Sequence, residues 1–69
     1  MSQDKIITLY TFSDMLEATL AVEKLKTNGI DSFLEDETTG GINPLAGVEL
    51  KVFLKDREKA DKIIEEFKN

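Results

Sequence analysis

The sequence predicts an α+β fold of order β-α-β-β-α, a three-stranded mixed sheet with both helices on one face. Three observations lead there: two stretches with apolar residues at helical period, three short β-branched or alternating runs, and a Gly- and Pro-bearing break before the last of those runs. With 69 residues the chain has room for one domain, 1–69. A chain of this size buries only roughly 60% of the surface that its unfolded form exposes.

Lys5 to Phe12, KIITLYTF, is rich in β-branched and aromatic side chains and stops at Ser13-Asp14, which predicts a strand leading into a helix cap. It carries two apolar rows: Ile7 and Leu9 on one side, and Ile6, Thr8, Tyr10 and Phe12 on the other, and either row can face the core. From Asp14 the period changes. Ala18, Ala21, Val22 and Leu25 stand at i, i+3, i+4 and i+7, with Leu16 and Leu20 read as widening the same stripe of an amphipathic helix. Ser13 or Asp14 is the N-cap; with Asp14 in that role, Glu17 falls at the third helical position and completes a capping box. Acidic residues open the helix and Lys24 and Lys26 close it, as the helix dipole favours. Asn28-Gly29 ends it, with Gly29 supplying the left-handed residue of a Schellman ending and Ile30 folding back on Leu25.

Ile30 to Glu35 reads as a second strand, with Ile30, Ser32 and Leu34 on one face and Asp31, Phe33 and Glu35 on the other. Glu37 to Gly47, ETTGGINPLAG, reads as a loop longer than the usual hairpin connection of about 2–5 residues. Val48, Leu50, Val52 and Leu54 then alternate with Glu49, Lys51 and Phe53 in the clearest strand of the chain. Asp56 is read as the cap of a second helix, in which Ala60, Ile63, Ile64 and Phe67 repeat the helical spacing and Glu58 and Lys62 form an exposed pair.

A helix between strands one and two makes a right-handed crossover, and two amphipathic helices need one sheet face to cover. The economical solution is a ferredoxin-like split β-α-β, with strand three antiparallel between strands one and two. A sheet in sequential order is the alternative. The ferredoxin-like pattern usually has a fourth strand after the second helix; here it is expected to be absent, leaving strand one as an edge.

Fourteen acidic against nine basic residues give a net charge of −5, in a chain 41% hydrophobic and 33% charged. Such a balance repels nucleic-acid phosphates and anionic lipid surfaces, so neither nucleic acid nor membrane is an expected partner. Nowhere do more than three hydrophobic residues run together, too few for a transmembrane span or a signal peptide, and the expected location is cytoplasmic. The absence of cysteine and histidine removes disulfides, thiolate and imidazole metal sites, and Cys or Ser–His nucleophiles. No cofactor, no resident metal and no catalysis are expected.

The run TFSDMLEATLAVEKLKTNGI, the Glu35-Asp36 pair, Asn43-Pro44 and the segment GVELKVFLKDREKADKIIEEF resemble the short bacterial family labelled putative prokaryotic signal-transducing protein. The resemblance covers nearly the whole chain and is carried by Glu17-Ala18, Gly29-Ile30, Glu35-Asp36, Asn43-Pro44, Gly47 and Asp56. Most of these are structural punctuation, so the likeness implies fold more than chemistry. The family's name implies kinship with PII-type signalling proteins, a fold-level analogy that assigns no activity.

Three features are weighed as sites. Asp31, Glu35, Asp36 and Glu37 cluster near one strand end, but alternation splits them between faces and their spacing fits no calcium loop, so a solvated strand end is the simpler reading. Gly40, Gly41, Ile42, Asn43, Pro44 and Leu45 lie where PII-like proteins project a partner-contacting loop. That loop holds no lysine or arginine for a phosphate, and an ordinary connection is the simpler reading. The third is the open face of the sheet, where Tyr10, Phe33 and Phe53 are expected to gather if Ile7 and Leu9 face inward. Glu49, Glu35 and Asp31 surround these rings, which disfavours RNA and favours self-association or a protein partner.

Together these readings predict a non-catalytic regulatory or protein-interaction module that forms a homodimer, through either the sheet face or the strand-one edge. The alternative is a small-ligand sensor binding at a subunit boundary or under the Glu37–Gly47 loop.

Overall fold

The alternating runs become strands and the two apolar stripes become helices. A computed structural model describes residues 5–36 and 47–68. Its elements are β1 (Ile6–Phe12), α1 (Met15–Thr27), β2 (Ser32–Asp36), β3 (Val48–Phe53) and α2 (Arg57–Lys68), with a 3-10 turn at Leu54–Asp56. The sheet order is β1-β3-β2. β1 and β2 are each antiparallel to the central β3, the arrangement of a ferredoxin-like split β-α-β, so the sheet is antiparallel throughout and not mixed as expected. Both helices pack on one sheet face and on each other.

The core lies between these layers. Phe12, Val48, Leu50 and Val52 come from the sheet, Ala18, Ala21 and Leu25 from α1, Ile30 from the turn that follows it, and Ala60, Ile63 and Ile64 from α2. Phe67 packs against this cluster half-buried. α1 starts on Asp14, whose carboxylate accepts from the Leu16 N–H at 3.0 Å, while Glu17 stays exposed and does not close the box. Its end is the expected Schellman motif. The N–H of Ile30 donates to the Leu25 carbonyl and that of Gly29 to the Lys26 carbonyl, both at 2.9 Å, with Gly29 at φ 78°.

Four further details depart from the sequence reading. Ile30 belongs to this turn, so β2 begins two residues later, at Ser32. β3 stops at Phe53, because the Leu54 N–H turns to the Lys5 carbonyl at 2.6 Å and the chain tightens into the 3-10 turn; Leu54 is exposed rather than core. Asp56 accordingly closes that turn instead of standing as a free cap. The fourth is a bulge in β1. Ile7 pairs with Val52 and Thr8 with Lys51, but Tyr10, not Leu9, pairs with Leu50, and Phe12 with Val48. One extra residue shifts the parity, so that Ile7 before the bulge and Tyr10 and Phe12 after it face the helices.

Candidate functional site

The sheet side away from the helices is built by the residues that alternate with the core positions. On β3 these are Glu49, Lys51 and Phe53. Their cross-strand partners are Glu35 and Phe33 on β2, opposite Glu49 and Lys51, and Thr11, Thr8 and Ile6 on β1. The surface divides into two ends. At one, Phe33 and Phe53 meet edge to face, with centroids 5.4 Å apart and planes at 87°, and the Lys55 ammonium lies 5.9 Å from the Phe53 centroid. Ile6, the partner of Phe53, is 48% exposed and Phe33 41%. Together they form an apolar patch with an aromatic centre.

The other end is polar. Glu35 and Glu49 face each other across β2 and β3, which by itself repels. Lys51 resolves the conflict by bonding Glu35 and lying 3.7 Å from Glu49, to which the Thr8 hydroxyl also donates at 3.2 Å. The bond to Glu35 raises the Lys51 ammonium above its ordinary value; desolvation opposes this, and the charges of Glu35 and Glu49 add to it. At neutral pH Lys51 is therefore protonated, with no lone pair to attack a substrate or take up a proton.

A pKa raised on folding stabilises the native state below the unfolded value, about 10.4 for lysine, and that contribution fades as pH climbs through the folded value. Lys51→Met should lower the melting temperature slightly at neutral pH, since two facing carboxylates lose their bridge. The deficit should shrink as pH climbs past the ordinary lysine value, where the Lys51 ammonium of the wild type gives up its proton. Thermal melts of both proteins across neutral and alkaline pH check this, and a pH-independent deficit would count against the bridge.

Phe33 and Phe53 thus stand where alternation puts them. Tyr10 does not: it faces the helices, edge to face with Phe12 at 4.7 Å and with the Lys68 ammonium 4.0 Å from its ring. Ile6 lies on the open face, because the bulge sends the two ends of β1 to different sides. Among the carboxylates, Glu35 turns to Lys51 on the open face, while Asp36 pairs with Val48 on the helix side. Among the described residues no three such side chains converge to hold a metal. Glu37 and the loop residues Gly40, Gly41, Ile42, Asn43, Pro44 and Leu45 lie outside the described residues.

A family model described as "Putative prokaryotic signal transducing protein" matches residues 6–68. The chain belongs to this family. Its family-like residues within the described region are mostly hinges of the fold: Gly29-Ile30 closes α1 and Gly47 opens β3, whereas Glu35 contributes to the open face. No curated protein and no solved structure matches the chain. None of the described helices is long and apolar enough to cross a membrane.

A second exposed surface escaped the sequence reading. Met15, Leu16 and Leu20 stand out from α1 at 42%, 67% and 50% exposure instead of widening its buried stripe. The signal was present in the helical repeat, since at about 100° per residue Leu16 lies about 180° around the helix from Leu25.

Proposed function

We propose that this chain is a cytoplasmic, non-catalytic and homodimeric regulatory module, PII-like in character, that acts by binding a protein partner on its open sheet face. The observation that carries the reading is the exposure of Phe33 and Ile6 beside the half-buried Phe53, on a face that no described element covers. Large aromatic side chains are the usual anchors of protein interfaces, and a contiguous apolar patch is unfavourable to leave in water. The Glu35–Lys51–Glu49 arrangement beside it supplies a polar rim that fixes the orientation of whatever lands there. A catalytic reading has less support: the ammonium on this face is held protonated and paired with carboxylates.

Affinity capture from the native cell, with the wild-type chain and Phe33→Glu in parallel, tests the proposal. Phe33 is exposed, so the variant should keep its circular dichroism and melting temperature. It should lose the protein that the wild type retains, with binding of the purified partner weakened at least about tenfold. Identical capture by the two would remove the sheet face from consideration.

A further inference from the structure

We infer that two copies of this chain associate through α1, antiparallel about a two-fold axis near Leu20, with Glu17 of each copy opposite Lys24 of the other. The inference deepens the homodimer proposed above and rests on that part of the reading alone, leaving the sheet face to the signalling partner.

The buried side of α1 is Ala18, Ala21 and Leu25. Leu16, 67% exposed, and Leu20, 50% exposed, form an i, i+4 ridge on the side turned away from it. The charges beside that ridge choose the occupant. Glu17 and Lys24 are seven residues apart, so they lie within about 20° of each other on one border of the ridge, and about 10.5 Å apart along the axis. Both are exposed, and neither makes an ion pair among the described residues. Within one helix they are too distant to meet.

An antiparallel second copy brings the acidic end of this border against the basic end of its counterpart. Symmetry then makes the contact twice. A parallel copy would instead set Glu17 beside Glu17 and Lys24 beside Lys24. The helix dipoles also favour the antiparallel sense. Levelling Glu17 with Lys24 places the axis beside Leu20, which packs on its own copy, while Leu16 covers the aliphatic stem of Lys24. One helix pair buries less than the roughly 800 Å² per partner of a standard interface, so the dimer is reversible and forms at micromolar concentrations.

Sedimentation equilibrium of the full chain at high micromolar concentration is the test. The wild type should be dimeric. Leu20→Glu, an exposed substitution whose folding is checked by circular dichroism, should weaken association at least about tenfold by setting two carboxylates at the axis. Glu17→Lys and Lys24→Glu should each weaken it, and the double exchange should restore it. A wild type that is monomeric throughout overturns the inference, as does a dimer that survives Leu20→Glu but falls apart in Phe33→Glu. Failure of the double exchange to rescue overturns the antiparallel register. The two readings fail separately: Phe33→Glu reports on partner capture, and Leu20→Glu on mass.

Discussion

Gly47→Ala should destabilise the protein by about 3 kcal/mol or more, while Gly29→Ala should cost only about 1 kcal/mol. Both glycines have positive φ, 79° and 78°, so both substitutions incur the penalty of a left-handed L-residue. Their surroundings differ. A Cβ on Gly29 meets nothing within 4 Å, whereas one on Gly47 would sit 2.5 Å from the Phe12 carbonyl oxygen and 3.1 Å from the Thr11 methyl carbon. The carbonyl belongs to the backbone of β1 where Phe12 pairs with Val48, so relief requires opening the β1–β3 ladder at its best-buried end. A chain of 69 residues has roughly 3–10 kcal/mol of stability in all. Urea unfolding should therefore find Gly29→Ala cooperative with a lowered midpoint, and Gly47→Ala close to unfolded before urea is added. Equal small losses at the two positions would mean that β1 does not press on Gly47.

The contrast also shows what a sequence holds. Asn28-Gly29-Ile30 encodes its Schellman ending within a few residues, and the period-two run from Val48 encodes both the strand and the outward placing of Phe53. Phe33 follows by the same alternation. Local signals suffice there because the hydrogen bonds and the side-chain parity are themselves local. The positive φ of Gly47 is a local matter too, but the carbonyl pressed against it lies 35 residues away in sequence. The misplacing of Tyr10 has the same origin. Nothing within KIITLYTF says that Leu9 is the extra residue against β3, and a one-residue change of register exchanges the faces of every residue beyond it. Leu54 left the strand because its N–H found the carbonyl of Lys5, a partner again supplied by the far end of the chain. The open-face site was thus legible on β2 and β3, whose alternation is unbroken, and ambiguous only on the bulged strand.

Phe12→Ala should remove most of the stability, about 3–5 kcal/mol, and leave a population that is largely unfolded at physiological temperature. Phe12 is 1% exposed and ties three elements together: its ring meets Tyr10 at 4.7 Å and Phe67 of α2 at 6.5 Å, both edge to face, while its backbone pairs with Val48. Truncation leaves a cavity between sheet and α2 that Tyr10 cannot fill, since the Lys68 ammonium lies over its ring. Phe12→Leu keeps most of the volume, loses the aromatic geometry and should cost only about 1–1.5 kcal/mol. Circular dichroism against urea separates the two, and a near-wild-type midpoint for Phe12→Ala would show that α2 is held without this ring. The same pair of variants separates stability from recognition. Phe12 lies on the helix side and Phe33 on the open side, so Phe12→Leu should retain the partner at reduced stability, whereas Phe33→Glu should lose it with stability intact.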